Sequence, residues 1–369
     1  MTAISFEDGK ARTSCKIIVL AAYLPGYMEF SHFLNSHLLD PAIGARRLYR
    51  EMLEQAVHAE ACGYRGVSIP EHHLVNILLI PSPLQFAVKV AAHTESVEIA
   101  TSVCQLPLRD MRVFAGEVIQ AQTLCGGRLI LGVGKGAFGY ETARMGVPFD
   151  DTKARFEESL QVLEALLSQQ SVSWKGEHYH FDPLTVMPRP EDPIPIALAI
   201  MAPLGIEAMA AKGYHIQTTP LGADHGVLME QVSAFYKGKT AVGPNCQSRL
   251  SLQRGLYLTK NDADTKNKIA HAYRYYESFD NVFGGPGIVE RGIIKPLPRT
   301  QPIEELGQNV LICGVPEMID RLSEYAELGI DEVIASSNFG QDQLETLEMM
   351  GRFGEEVLPH VRALGRTLA

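Results

Sequence analysis

Short apolar runs rich in β-branched residues alternate with longer segments of helical periodicity along nearly the whole chain. Each run is almost continuously apolar, which is typical of parallel strands that are covered by helices. The pattern therefore predicts eight strand–helix units. The predicted strands lie over residues 16–24, 64–73, 97–107, 128–134, 194–201, 214–220, 249–259 and 330–340.

The segments between the predicted strands carry the spacing of amphipathic helices. In residues 44–63, for example, Leu48, Met52 and Val57 recur at helical intervals and Gly63 ends the helix. Eight such units in 369 residues fit one closed (β/α)8 TIM barrel. The alternative is a doubly wound open sheet divided over two domains. No Gly/Ser or Pro linker divides the chain, which favours the barrel, with residues 1–369 as a single domain.

Two segments depart from the strand–helix alternation and are predicted as insertions after strands 4 and 7. Residues 171–190 contain two alternating stretches separated by turn residues, which predicts a hairpin. Residues 282–309 are rich in glycine and proline, and we expect this segment to form a mobile lid that keeps water from the site. The alternative for the second segment is an insertion without a role.

Composition and charge narrow the range of functions. The net charge is −10, with 46% hydrophobic and 21% charged residues, which argues against a nucleic-acid partner because phosphate binding needs clustered Lys and Arg. The six cysteines lack metal-ligand spacing, so we expect no metal site and reduced thiols in a cytoplasmic protein. No apolar run approaches the ~18 residues of a membrane helix, and we expect no membrane association.

The stretch GRLILGVGKGAFGYE, residues 127–141, raises the possibility of a nucleotide site. From Gly132 it fits the loose dinucleotide pattern Gly-x-Gly-x-x-Ala, but the following residues 138–151 show no helical stripe, which disfavours a dinucleotide fold. In a barrel these residues form the loop after strand four, on the face that carries active sites. Gly134 then lets the backbone approach a flat ligand, and Lys135 presents a charge to a phosphate. A plain tight turn is the alternative.

Four segments in the same order resemble the bacterial luciferase-like family of flavin-dependent monooxygenases. They are a strand-four signature, a Pro-Glu-His-His sequence closing strand two, an insertion followed by strand five, and a C-terminal helix–strand pattern. The likeness extends over residues 16–362. The segments are residues 126–151, 70–73, 172–199 and 313–336.

This resemblance implies a (β/α)8 barrel that binds reduced FMN at its C-terminal face and uses molecular oxygen to oxygenate a small organic substrate. It also implies a separate flavin reductase as partner, and a homodimer or tetramer. Two other functions stay open. One is a deazaflavin-dependent oxidoreductase that transfers hydride without oxygen, and the other is a non-catalytic flavin-binding barrel.

The resemblance assigns roles to residues at the ends of strands two and three. His72 matches the catalytic histidine, and an imidazole with a pKa near ~6.5 suits proton transfer close to neutral pH. Glu71 beside it is assigned to cofactor contact. Ser102 and Val103 fall where the family often places a non-proline cis peptide beneath the flavin ring. The alternatives are a structural histidine and an ordinary strand.

For the flavin phosphate, the resemblance assigns Lys135 as one cation and Lys153 or Arg155 as a second. Backbone amides at the strand-five loop complete the set, at Met201, Ala202 and Gly205. Family members often carry Ser or Thr in this loop, where the present chain reads AIMAPLG. We therefore expect FMN to be held more weakly or differently, because a lost hydroxyl removes one hydrogen bond.

The substrate pocket is expected under the predicted lid. Its candidate walls are Tyr23, Phe138 and Tyr140, and Arg291 from the lid could reach an open site. All three aromatic residues have an ordinary core position as the alternative.

Overall fold

The computed structural model describes residues 28–364, and its central feature is a closed barrel of eight parallel strands. Each barrel strand pairs with the next along the chain, and the ring closes because the first strand also pairs with the last. This confirms the predicted fold class. With all strands numbered in chain order, the barrel consists of β1 (Glu29–Phe33), β2 (Gly66–Ile69), β3 (Glu98–Thr101), β5 (Leu129–Gly134), β8 (Ile196–Ala199), β9 (His215–Thr218), β10 (Leu250–Leu258) and β14 (Glu332–Ser336).

Helices surround the barrel and bury its outer face. They are α1 (Gly44–Ala61), α2 (Pro83–Ala91), α3 (Met111–Leu124), α4 (Gly139–Arg144), α5 (Thr152–Ser168), α6 (Pro203–Ala210), α7 (His225–Val242), α8 (Asp262–Val282), α9 (Ile303–Asn309), α10 (Val315–Glu327), α11 (Gln343–Glu356) and α12 (Leu358–Leu364). Residues 138–151, where the sequence shows no helical stripe, include the six-residue helix α4 and a 3-10 turn at Phe149–Asp151.

The first barrel strand is β1, between β14 and β2, and the strand predicted over residues 16–24 lies outside the described residues. The sequence pattern missed β1 because its inward face is polar. Ser31 points to the barrel interior, where it and Ser251 both donate hydrogen bonds to Glu332. A strand whose apolar run is interrupted by such a residue does not register as a buried strand.

The remaining strands are short and form the two insertions and two extensions of the barrel. The pair β6 (Val172–Lys175) and β7 (His180–Leu184) is antiparallel, which confirms the hairpin predicted between strands four and five. β4 (Cys104–Gln105) pairs with β5, and β13 (Leu311–Cys313) pairs with the end of β10. β11 (Val289–Glu290) and β12 (Ile293–Ile294) form a small hairpin in the segment after strand seven. That all 369 residues form a single domain stays a prediction.

The segment predicted as a lid is attached to its surroundings by specific hydrogen bonds. The buried side chain of Asn281, near the end of α8, donates to the carbonyls of Ile288 and Lys295 and accepts from the Ile288 amide. The Ile294 amide donates to Asn76 Oδ1, on the loop after β2. The segment therefore lies over the strand-two loop, and its mobility stays a prediction.

We expect Asn281→Ala to loosen this segment, because it removes three hydrogen bonds of a buried side chain, each worth about 1 kcal/mol. Hydrogen exchange of residues 283–297 should quicken while exchange in the barrel strands stays unchanged. The matched control is Asn267→Ala on the exposed face of the same helix. Equal exchange in both variants would show that Asn281 does not anchor the segment.

Candidate active site

The ends of barrel strands two, three and four form one side of the barrel mouth. Their strands are paired in the order β2, β3, β5, so the residues that follow them are neighbours in space. Residues 70–73 follow β2, Ser102 and Val103 follow β3, and residues 135–141 follow β5. The fold therefore brings together the three segments that the sequence singled out.

His72 is held by a carboxylate that the sequence did not indicate. Its Nδ1 lies 3.0 Å from Oε1 of Glu141, whose side chain is fully buried. One face of the imidazole stacks on the Phe138 ring, with centroids 3.8 Å apart and planes 17° apart. No described residue makes a hydrogen bond with Nε2. The ring is thus fixed at one nitrogen and on one face, while the second nitrogen remains available.

The Glu141 carboxyl group is ionised despite its position. Burial alone would raise its pKa, but the neighbouring charge and hydrogen bond of His72, with donors from the His73 amide and Gln105, outweigh burial and lower the pKa. An ionised carboxylate only accepts hydrogen bonds, so His72 carries its proton on Nδ1. In its neutral form, the imidazole then presents the lone pair of Nε2.

The lowered pKa of Glu141 makes the stability of the protein depend on pH. A depressed carboxyl pKa adds stability above the unfolded value of 4.5, and this contribution is lost as the pH falls through the folded pKa. We expect Glu141→Gln to lower the free energy of unfolding at pH 7, with a difference from the wild type that narrows below pH 4.5. Chemical denaturation at several pH values measures this. A difference independent of pH would contradict it.

Glu71 lies behind the active-site turn. Its buried carboxylate accepts hydrogen bonds from His73 Nε2 and Arg109 Nη1, both at 2.7 Å, and from the Gln105 amide at 3.1 Å. Gln105 also donates to the Glu71 carbonyl and to Glu141. Glu71 therefore positions the end of strand two, and its predicted contact with the cofactor stays a prediction.

The peptide bond between Ser102 and Val103 is cis, as the resemblance implies. Ser102 Oγ donates a hydrogen bond to Oε1 of Gln217, across the barrel mouth, at 3.0 Å. Glycine is required opposite these residues, since a Cβ on Gly134 would lie 2.7 Å from Cγ2 of Val103. The backbones of strands three and four thus approach each other closely where the sequence predicts a flat ligand.

The two alternatives for the second phosphate cation face different directions. Lys153 is exposed, with Nζ 3.8 Å from Glu157, whereas Arg155 is half-buried and lines a cavity together with Arg109. Because the two residues are two positions apart on an α-helix, their side chains point about 200° apart around the helix axis. The exposed Lys135 lies on the loop after β5, with Nζ 4.8 Å from the centre of the Phe149 ring.

The loop after strand five leads into α6, whose first turn lacks a side-chain cap. Ala202 occupies the N-cap position without a hydrogen-bonding side chain, and Pro203 follows. The carbonyl of Met201 is fixed by Gln231 Nε2 at 3.0 Å. The amides that open α6, including that of Gly205, therefore have no side-chain acceptor on the N-cap residue.

The predicted substrate residues lie in different environments, and Tyr23 is outside the described residues. Phe138 is fully buried against His72 and meets Phe279 of α8 edge-on at 5.6 Å. Tyr140 is half-buried and contacts the segment after α8, while Arg291 is exposed in the turn between β11 and β12. The structure therefore groups Phe138 with His72 and leaves Arg291 at the surface.

Aromatic side chains at the C-terminal end of α8 cover this side of the barrel mouth. The sequence analysis did not identify them. Phe279 stacks on Phe283 at 5.3 Å and on Tyr275 at 6.0 Å, and Tyr275 meets Phe339 after β14. Their four-residue spacing along one helix face is a signal that the sequence contains. Glu141 has a weaker signal, as an acidic residue in an otherwise glycine-rich loop.

Two further observations concern the described residues. None of the helices within residues 28–364 is long and apolar enough to cross a membrane. Over the same range, no group of three or more His, Cys, Asp and Glu side chains is arranged to hold a metal ion.

The chain resembles characterised oxidoreductases over most of its length. It is 25% identical over 348 residues to the oxygenase component of a flavin-dependent trigonelline monooxygenase of Acinetobacter baylyi, covering 90% of this chain and 95% of the relative. It is 36% identical over 327 residues to an F420-dependent glucose-6-phosphate dehydrogenase of Kineococcus radiotolerans, covering 85% and 93%.

Among solved structures, the oxygenating constituent of 3,6-diketocamphane monooxygenase from the CAM plasmid of Pseudomonas putida, in complex with FMN, superposes with a TM-score of 0.73. The match covers 90% of this chain and 98% of that chain at 16% sequence identity, and it supports the fold. Residues 28–332 match the family model described as luciferase-like monooxygenase. Because that match covers most of the chain, the protein belongs to the luciferase-like monooxygenase family.

Proposed function

We propose that the protein is the oxygenase component of a two-component monooxygenase, which uses reduced FMN and molecular oxygen to oxygenate a small organic molecule. The observation that carries this proposal is the His72–Glu141 pair. A carboxylate-held imidazole with a free Nε2 can take a proton from a reacting group and return it. Phe138 covers one face of this imidazole, and Phe279 packs edge-on against Phe138.

The residues at the mouth fit a flavin mononucleotide. Lys135 and Lys153 supply positive charge on the loop after β5 and at the start of α5. The neighbouring strand β8 leads into the amides that open α6, which suit a phosphate. Gly134 and the Ser102–Val103 peptide leave a surface that a flat ring can approach. Bound reduced FMN would supply the electrons that activate oxygen.

The proposal includes a flavin reductase as partner and a homodimer or tetramer, both by analogy with the family. It also includes a cytoplasmic location, where thiols stay reduced, since every cysteine in the described part of the chain is free. The aromatic side chains of Phe138, Phe279 and Tyr275 beside His72 favour a flat, partly apolar substrate. Trigonelline, the substrate named for one relative, is a reasonable first compound to test.

A deazaflavin-dependent dehydrogenase is the second candidate, because the F420-dependent relative is 36% identical to this chain. The two functions differ in their need for oxygen. Product formed under ¹⁸O₂ and carrying the heavy isotope supports the monooxygenase. Substrate oxidation that proceeds anaerobically with F420 supports the dehydrogenase.

We expect Lys135→Gln to weaken binding of reduced FMN about tenfold, because it removes a charge-assisted contact to the phosphate. Binding of reduced riboflavin, which lacks the phosphate, is the internal control and should not change. Anaerobic fluorescence or absorbance titrations measure both affinities. Equal weakening of both flavins would place Lys135 at the ring or in the fold instead of at the phosphate.

A further inference from the structure

A cavity of about 350 Å³ lies between the start of α3, the loop after α4, the start of α5 and the hairpin β6–β7. Tyr179 braces its wall, with its hydroxyl 3.1 Å both from the Arg109 carbonyl and from Ser159 Oγ. The lining contains one carboxylate, three guanidinium groups and two imidazoles, from Asp110, Arg109, Arg112, Arg155, His178 and His180.

The lining carries an excess of positive charge. Asp110 is paired with Arg112, and Arg109 is paired with Glu71 at 2.7 Å. Arg155 makes no hydrogen bond or ion pair with any residue in the described part of the chain, although it is half-buried. Asp110, the one acidic residue of the lining, is thus already neutralised. Glu158, behind the lining, accepts hydrogen bonds from the backbone amides of His178 and Tyr179.

His178 adds an unsatisfied donor or acceptor to the same wall. Its Nε2 is buried and has no hydrogen-bond partner among the described residues. Its backbone is held in place, because the His178 amide donates to Glu158 Oε2 at 2.8 Å and the Tyr179 amide donates to Oε1. A buried nitrogen of this kind calls for a partner, since a buried polar group without one is unfavourable.

We propose that this cavity binds the phosphate group of a small-molecule ligand. Arg112 comes from α3, Arg155 from α5, and His178 and His180 from the hairpin, so donors approach from three elements. A tetrahedral phosphate accepts hydrogen bonds from several directions and pairs with a guanidinium in bidentate fashion. The cavity volume exceeds that of a phosphate group and leaves room for an organic portion.

This site differs from the one proposed for the flavin phosphate, and it does not rest on the proposed function. Lys153 and Arg155 lie on opposite sides of α5, and the cavity lining contains neither Lys135 nor any residue of the strand-five loop. A ligand in the cavity would therefore leave the FMN residues free.

Isothermal titration calorimetry with inorganic phosphate at constant ionic strength tests this, on the full-length protein with and without saturating FMN. We expect binding in both cases, competition by sulfate, which is also tetrahedral, and none by acetate. Arg155→Gln should weaken binding about tenfold or more, and His178→Gln about threefold. Arg50→Gln, which removes an exposed charge on α1, should leave binding unchanged.

Three results would overturn the proposal. They are no phosphate binding, binding that Arg155→Gln and His178→Gln leave unchanged, which would indicate an adventitious ion only, and loss of phosphate binding on FMN saturation. The last result would mean that the flavin itself uses the cavity. Circular dichroism of each variant confirms that it is folded before its affinity is compared.

Discussion

His72→Ala is expected to lower the rate of substrate oxygenation by about 10²–10⁴-fold while leaving the affinity for reduced FMN nearly unchanged. The substitution removes the nitrogen that exchanges the proton. It leaves in place the lysine side chains and the α6 backbone amides that are proposed to bind the FMN phosphate. Single-turnover product yield and an anaerobic FMN titration measure the two effects separately.

Two neighbouring substitutions serve as controls for that prediction. Glu141→Gln keeps the imidazole but replaces the charged acceptor at Nδ1, so the pH profile of turnover should shift while His72 remains in place. His73→Gln removes an imidazole that contacts Glu71, not the site, and should retain most activity. The same product yield in His72→Ala and in the wild type would show that His72 takes no part in the reaction. A parallel loss of FMN affinity would make its role structural.

Gly132→Ala is expected to destabilise the protein by about 3 kcal/mol. A Cβ at this position would lie 1.9 Å from the carbonyl oxygen of Thr101, and backbone cannot move aside as the end of a side chain can. Thr101 Oγ1 also donates to the Gly132 carbonyl at 2.7 Å, so a shift of either strand breaks a buried hydrogen bond. Urea denaturation gives the change in the free energy of unfolding.

The same substitution in a helix gives the opposite expectation. A Cβ on Gly116, in α3, would meet Cγ1 of Val186 at 4.0 Å, an ordinary contact. Gly116→Ala should therefore maintain or raise the free energy of unfolding, because alanine is the better helix former. If Gly132→Ala proves as stable as Gly116→Ala, strands three and four do not approach as closely as the structure has them.

The sequence predicted every barrel strand except β1, because the other strands are bounded apolar runs. β1 was missed since its inward Ser31 binds Glu332, a contact across 301 positions that no local pattern contains. The hairpin and the place of His72 were also predictable. The first depends on local alternation, and the second on the resemblance of a short motif.

The rest of the candidate site depends on contacts between distant segments. Glu141 and His72 are 69 positions apart, and only closure of the barrel brings them within hydrogen-bond distance. The different directions of Lys153 and Arg155 could be predicted from the sequence, because helix geometry alone places side chains two positions apart on different sides of the helix. For Gly132, the sequence suggested a ligand, whereas the structure shows a close approach of two strands.

The central claim is that this barrel binds reduced FMN and uses it with oxygen. The most direct test is an anaerobic titration with reduced FMN and, separately, with reduced F420, each followed by an oxygen pulse observed by absorbance. We expect binding of reduced FMN and an oxygen-dependent spectrum distinct from those of free reduced and oxidised FMN. Binding of F420 alone, with no response to oxygen, would contradict it and indicate hydride transfer.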